Sequence, residues 1–379
     1  MLNIALITNH PPPFRIPIYE RIAKMPDVNL HLIFCSRREP NRQWKLPPLN
    51  FKHTFLHERF VTRGDNFIHN NIDVVSTLRR LAPDVIVTTG FNPTYLYAFA
   101  YAVARGVPHV PMTDGTDVSE EALSTWHKAV RRLVYARSRA FIAASRGGLK
   151  LYESYGIPPD RCFLSCLCID NDAYRASEGN VEKRFDFIFC GRIVEDKNPL
   201  FALDVAHDVS LRLGRKVSIL FVGHGEQEKE VKEEAARRGD SVHVEFNGFA
   251  SQEELPALYR SARIFLFPTR RDVWGVVANE ACAAGLPIIV SPYAGVIDEL
   301  VVNGQNGFVC ELDVAAWSER AAMLLTHPDV MERFEQSSLA LVGKYTFDHA
   351  AAGVVEACRL AVRSGRNEHY DAKIGRKAG

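Results

Sequence analysis

Two carboxylates, Asp272 and Glu280, stand eight positions apart in the run Phe267-Pro268-Thr269-Arg270-Arg271-Asp272-Val273-Trp274-Gly275-Val276-Val277-Ala278-Asn279-Glu280-Ala281. An ionised carboxylate only accepts hydrogen bonds, so a pair converging on one ligand suits a molecule rich in hydroxyls, as sugars are. Acids so spaced also occur as solvated surface charge. Glu280, however, is set among Val276, Val277 and Ala281, and a carboxylate in apolar surroundings requires a partner. A second group is cationic: Gly191-Arg192-Ile193-Val194-Glu195-Asp196-Lys197-Asn198-Pro199 follows a strand-like run and leads into a helix. Arg192 and Lys197, beside a helix N-terminus, suit a diphosphate. A solvated loop in which they pair with Glu195 or Asp196 is equally consistent with the sequence. In a third group, Phe221-Val222-Gly223-His224-Gly225-Glu226, the glycines at 223 and 225 let the backbone pass close to a ligand or simply turn tightly. Position 228 is Glu228, so the third glycine of a dinucleotide fingerprint is missing, which argues against a nicotinamide-dependent dehydrogenase.

For such groups to meet, strands must deliver them to one edge of a sheet. The first half alternates strand-like runs near 2–8, 28–35, 84–88, 108–112 and 140–143 with helical patterns near 16–25, 71–82, 94–105 and 119–138. The second half repeats the rhythm, with strands near 185–190, 216–222, 242–246, 263–267 and 287–290. Near-continuous apolar strands such as Asp84-Val85-Ile86-Val87-Thr88 belong in a parallel sheet covered on both faces. The expected fold is therefore α/β, with two Rossmann-like doubly wound domains facing across a cleft, at 1–175 and 185–345. A polar stretch over 171–184, containing Asn171, Asp172, Ser177, Glu178, Gly179 and Asn180, is expected to link them. A last helix near 347–362 is expected to pack back on the first domain, and the charged tail from Arg363 to be mobile.

With 46 Lys and Arg against 45 Asp and Glu in 379 residues, no overall field favours nucleic acid or an anionic membrane, so a polyanion must be met by a local patch. The opening Met1-Leu2-Asn3-Ile4-Ala5-Leu6-Ile7-Thr8 reads as a first strand and not as an export signal, which implies a cytoplasmic protein. The apolar stretch from Tyr95 to Ala104 is about half the ~20 residues needed to span a bilayer. The eight cysteines lie mostly in apolar strand-like runs and are expected to be reduced. Cys162, Cys166 and Cys168 cluster, but nothing completes a zinc set around them. No Asp-x-Asp stands at a strand end to hold Mg or Mn, since Asp170-Asn171-Asp172 precedes the linker.

Over about 185–325 the order of these segments resembles the donor domain of retaining family-4 glycosyltransferases of the GT-B fold. The segments that carry the likeness are the Arg192 and Lys197 loop, Val222-Gly223-His224-Gly225, Phe246-Asn247-Gly248-Phe249, Glu253-Glu254-Leu255-Pro256-Ala257-Leu258-Tyr259 and the acid-x7-acid pair. They continue with Gly285-Leu286-Pro287-Ile288-Ile289-Val290, Gly295-Val296-Ile297-Asp298-Glu299-Leu300 and Asn303-Gly304-Gln305-Asn306-Gly307. The first half is similar more loosely, through Arg139-Ala140-Phe141-Ile142-Ala143-Ala144-Ser145, Tyr155-Gly156-Ile157-Pro158 and Ile169-Asp170-Asn171-Asp172. The resemblance implies a nucleotide-sugar donor with no cofactor or metal. It also implies Arg192 and Lys197 on the diphosphate, Glu280 on the ribose, Asp272 on the transferred sugar and the Gly248 and Phe249 segment near the base. Retention, by front-face attack assisted by the departing phosphate oxygen, is likewise the family's property.

The chain departs from the family pattern at Asp272, where Glu is usual. It departs again at His10-Pro11-Pro12-Pro13-Phe14-Arg15, where relatives carry a glycine pair near the diphosphate. Proline removes N–H donors there, so Arg15 is expected to supply the positive charge, with strand-to-helix capping an equal alternative. In Met112-Thr113-Asp114-Gly115-Thr116-Asp117, Asp114 and Asp117 stand where relatives carry a His near the reacting sugar; either can orient an acceptor hydroxyl, and a helix cap at Asp117 or Ser119 competes. The helical stretch 119–138 interleaves Trp126, Lys128, Arg131, Arg132, Tyr135 and Arg137, with Arg139 following. This pattern suits contact with an anionic membrane carrying a lipid-linked acceptor, or else a core helix with a solvated basic face. A nucleotide-sugar epimerase of the same fold, and a non-enzymatic two-domain sugar-binding protein, are the remaining alternatives.

Overall fold

The computed structural model describes residues 1–39, 48–63, 66–121, 123–175 and 182–375. The chain divides into two compact units, Met1–Leu167 with the chain from Phe347 onward, and Cys168–Thr346.

In unit 1 the elements are β1 (Leu2–Thr8), α1 (Ile16–Ala23), β2 (Val28–Phe34), β3 (His53–Phe55), β4 (Phe60–Arg63), β5 (Asn66–His69), α2 (Val74–Leu81), β6 (Val85–Thr88) and α3 (Pro93–Arg105). They continue with β7 (His109–Thr113), α4 (Asp117–Glu121), α5 (Thr125–Tyr135), β8 (Phe141–Ala143), α6 (Arg146–Ser154) and β9 (Cys162–Leu164). Among the described residues these strands form a seven-stranded sheet in the order β3-β2-β1-β6-β7-β8-β9, with β4 and β5 a separate antiparallel pair. The sheet is parallel, with Ile4 beside Leu30 on one side and Val85 on the other. Its strands are buried on both faces, β6 along its whole length, because helices cover both sides.

Unit 2 comprises α7 (Asn171–Tyr174), β10 (Phe185–Cys190), α8 (Pro199–Leu213), β11 (Val217–Val222), α9 (Glu228–Arg237), β12 (Val242–Gly248), α10 (Leu255–Arg260), β13 (Ala262–Phe267) and α11 (Val276–Ala283). After these come β14 (Ile288–Val290), β15 (Gly307–Val309), α12 (Val314–Thr326) and α13 (Pro328–Val342). The sheet is parallel in the order β12-β11-β10-β13-β14-β15. Its core packs Phe187, Phe221, Ile264 and Leu266 of the sheet with Trp317 and Phe334 of the covering helices. From β10 the chain winds outward through β11 to β12, then crosses back to β13 on the other side. The chain leaving β10 and the chain leaving β13 therefore run toward opposite edges of the sheet, and ligands of open α/β sheets bind at such a switch point.

The last helix, α14 (Phe347–Gly375), belongs to unit 1 and packs on α1 and β9. At Gly353 an added Cβ would stand 1.8 Å from the carbonyl oxygen of Leu164, so the helix lies against the strand at a distance only glycine permits. Arg21 with Asp348 and Arg359 with Asp27 tie its outer side at 2.9 and 2.6 Å.

Some expectations are corrected. The helix expected over 119–138 is two, α4 and α5. The polar stretch expected to be linker from 171 begins as α7, capped by Asp170 and held by Asn171, whose amide donates to the carbonyls of Val342 and Tyr345. The linker positions 176–181 lie outside the described residues. The helix near 347–362 runs on to Gly375, through much of the tail expected to be mobile; residues 376–379 of that tail are also outside the described residues. None of the eight cysteines is in a disulfide.

Candidate active site

The loops leaving β10 and β13 bring Lys197 and Asp272, 75 positions apart, into contact; Arg192 stands two residues after β10, and Glu280 on the helix that follows β13. The backbone turns at Gly191 (φ 147°) straight after β10, and Arg192 is exposed, with no side-chain hydrogen bond or ion pair among the described residues. A short turn at Glu195–Lys197 and a left-handed Asn198 then lead into α8. The Lys197 ammonium faces Asp272 Oδ2 at 2.6 Å, the Arg271 carbonyl at 3.2 Å and Thr269 Oγ1 at 3.4 Å. The sequence left Lys197 free to pair with its neighbours Glu195 and Asp196. Those acids are instead taken by Arg270 and Arg271, and Lys197 pairs across the switch point.

Glu280 lies on α11, which starts at Gly275 (φ 97°), where a Cβ would meet the Phe267 ring at 2.5 Å. Its partner within the protein is Tyr259 of α10, whose hydroxyl donates to Oε2 at 2.9 Å. Burial pushes the Glu280 carboxyl up to about 7 against the opposing pull of the Tyr259 and Tyr174 hydroxyls. Glu280 in turn helps burial raise the Cys190 thiol at the end of β10. Neither tyrosine was singled out as a site residue from the sequence, although Tyr259 closes the segment Glu253–Tyr259; no local pattern indicates that its hydroxyl reaches a helix 21 residues on.

The two glycines after β11 are required by the neighbouring loop. A Cβ at Gly223 would stand 1.9 Å from the Gly191 carbonyl oxygen, and one at Gly225 2.1 Å from that of Ile193. The loops after β10 and β11 are thus stacked backbone to backbone, with Gly191 N–H donating to Val222 and Ile193 N–H to His224. At the end of β12, Gly248 is left-handed (φ 72°) and Phe249 is 63% exposed, with the His224 ring facing Gly248.

In unit 1, the charge of Arg15 lies inside the unit. It is 3% exposed, its guanidinium donating to Asp114 Oδ1 at 2.6 Å and to the carbonyl of Ser165 at 3.0 Å. The proline loop before it serves as the entry to α1, the Pro12 carbonyl accepting from Arg15 and Ile16 N–H. Asp114 is half exposed and keeps a face toward solvent. Asp117 is the first residue of α4, but the turn is closed by Thr116 and Ser119, each accepting from the other's backbone N–H. A buried Glu39 between His10 and His69, at 3.4 and 3.1 Å, went unnoticed in the sequence. Burial alone would raise its carboxyl, yet the two imidazoles hold it down to about 2.

Among the described residues no group of three or more His, Cys, Asp or Glu side chains is arranged to hold a metal ion. No helix among them is long and apolar enough to cross a membrane.

Two Rossmann-like units, one with a basic and acidic switch point, define a protein of the GT-B class, and comparison with solved structures shows that fold. HepE of Anabaena, solved with UDP and glucose, superposes with a TM-score of 0.70 at 14% identity, covering 94% of this chain and 99% of that one. A glycosyltransferase of Rickettsia africae does so with a TM-score of 0.72, covering 95% and 98%. The chain belongs with the family-4-type glycosyltransferases: residues 30–172 match Glycosyltransferase Family 4 and residues 170–339 match Glycosyl transferases group 1. A D-inositol 3-phosphate glycosyltransferase of Streptomyces scabiei is 26% identical over 262 residues, 64% of this chain and 58% of that protein. The capsular polysaccharide biosynthesis glycosyltransferase CapM of Staphylococcus aureus is 30% identical over 253 residues, 65% of this chain and 62% of that protein. The matches thus span somewhat more than half the length of these relatives.

Proposed function

We propose that the chain transfers a hexose-type sugar from a UDP- or GDP-linked donor to a glycan or lipid-linked acceptor, with retention of configuration and without a metal ion. The observation that carries this reading is the Lys197–Asp272 pair across the switch point of the unit 2 sheet, with Arg192 exposed on the loop after β10 and Glu280 buried on α11 after β13. Departure of a nucleoside diphosphate builds negative charge on phosphate oxygens, and fixed cations there stabilise it. Arg192 and Lys197 take that part, Glu280 accepts from the ribose hydroxyls, and the exposed Phe249 beside Gly248 offers the base a ring to lie on. Gly223 and Gly225 shape the wall between them. On unit 1, Asp114 and Asp117 are the acids available to an acceptor hydroxyl. The acceptor oxygen bonds to the anomeric carbon as the bond to the phosphate oxygen breaks, and its proton passes to that departing oxygen. The names of the relatives support the reading: HepE was solved with UDP and glucose, and CapM builds capsular polysaccharide.

The chain also works, in this reading, at the cytoplasmic face of a membrane. Supporting this, Trp126, Ala129 and Leu133 recur along the exposed side of α5, with Trp126 73% and Leu133 52% exposed and Arg132 and Arg137 beside them. Arg131 stands apart, held by Glu120 at 2.9 Å and lying over the Phe91 ring.

The test is a screen of UDP- and GDP-sugars for nucleotide release in the presence of EDTA. The expected outcome is release from one donor at a rate the chelator leaves within about twofold, since no step uses a metal. Loss of turnover in EDTA with recovery in Mg refutes the metal-free step, and conversion of the donor sugar without transfer points to the epimerase.

A further inference from the structure

The loops after β10 and β13 are joined by three ion pairs in register: Glu195 with Arg270 at 2.9 Å, Asp196 with Arg271 at 3.4 Å, and Lys197 with Asp272 at 2.6 Å. The backbone repeats the register, as Arg270 N–H and the Thr269 hydroxyl both donate to the Asp196 carbonyl, at 2.8 and 3.1 Å. The two outer rungs are exposed, and exposed pairs contribute little. The inner rung is different. Its side chains are 18% and 20% exposed, and all three ammonium protons have an acceptor in Asp272, Thr269 or the Arg271 carbonyl.

Asp272 is the fixed member of this pair. Its Oδ1 accepts from Trp274 N–H at 3.2 Å while Oδ2 accepts from Lys197. Its own N–H donates to the Tyr293 carbonyl at 3.0 Å, and its carbonyl accepts from Gly295 N–H at 2.9 Å. Gly295 approaches so closely that a Cβ there would stand 2.0 Å from the Val273 carbonyl oxygen. The following Trp274 is buried, its indole N–H bonded to Asn279 at 2.8 Å. Lys197, by contrast, carries its charge on four rotatable methylenes and loses that freedom when held.

We propose that Asp272 is a positioning residue acting through Lys197, holding the ammonium at the switch point for the donor diphosphate, and not the direct contact to the transferred sugar. The proposal rests on the donor-site reading above. A diphosphate arriving there takes over the two protons now given to Thr269 and Arg271, while the contact to Asp272 keeps the ammonium in place.

Calorimetric titration with UDP and with GDP tests this on the wild type, Asp272→Asn, Asp272→Glu, Lys197→Met and the double variant Asp272→Asn with Lys197→Met. Simply removing a negative charge beside an anion site strengthens anion binding. Positioning predicts the opposite: Asp272→Asn weakens nucleotide binding at least about tenfold, and in the Lys197→Met background the same change adds less than about twofold. Asp272→Glu, which keeps the charge, restores binding to within about threefold of the wild type and carries the test if the Asn variant unfolds. Nucleotide binding unchanged or tightened in Asp272→Asn while turnover collapses overturns the proposal in favour of direct sugar contact. Failure of the wild type to bind either nucleotide removes the donor site itself, and the proposal with it.

Discussion

The setting of Glu280 takes it away from ordinary carboxylate chemistry. Its carboxyl, ordinarily at 4.5, is raised by burial to about 7, so between those values the folded chain holds a proton that the unfolded chain releases. The stability linked to this proton is fully present below about 4.5 and is lost as pH rises towards about 7. A ribose donating two hydroxyls favours the ionised form, so nucleotide binding should tighten as pH rises through about 7. Titrations on either side of that value check this, and in Glu280→Gln the Glu280-dependent part of the profile should vanish. An identical profile in the variant excludes Glu280 from the nucleotide. The residue types were legible in the sequence: an acid in an apolar run required a partner, and cations after a strand suggested an anion. The pairings were not, because Lys197 and Asp272 are 75 positions apart and Glu280 and Tyr259 are 21 apart, and only the fold brings them together. The partners of Arg15 were hidden for the same reason, Asp114 and Ser165 lying 99 and 150 positions away.

At the scale of elements, long strands with continuous apolar runs were legible, and β1, β10, β11 and β13 lie within a residue or so of where periodicity puts them. Missed were β3, β4, β5, β9 and β15, three or four residues each, too short to show a clear period and defined by the neighbours they pair with. The basic helix was partly legible. Charge and aromatics were read correctly, but which side each residue occupies was not, and Arg131 turns inward to Glu120. The proposed membrane contact therefore depends on Lys128, Arg132 and Arg137 around the Trp126 and Leu133 stripe. Basic side chains contribute about 1 kcal/mol each at an anionic surface, so replacing these three by Gln should reduce partitioning onto anionic vesicles about a hundredfold. Arg131→Gln should leave partitioning nearly unchanged. Sedimentation with vesicles at low and rising salt reads both, and equal binding by wild type and triple variant shows α5 to be merely a solvated face.

For the whole molecule, each unit is a parallel sheet wound on both sides, and the return of α14 to unit 1 is fixed by the contact at Gly353. On the proposed function, the switch point of unit 2 is the donor site and side-chain cations hold its diphosphate. Calorimetry of UDP and GDP on the wild type and on the Arg192→Ala, Lys197→Ala double variant tests it most directly. Charge-assisted phosphate contacts are worth about 1.5–3 kcal/mol each. One nucleotide should bind the wild type, and the double variant, still folded by circular dichroism, should bind it at least about a hundredfold more weakly. Equal affinity in the two proteins would contradict it.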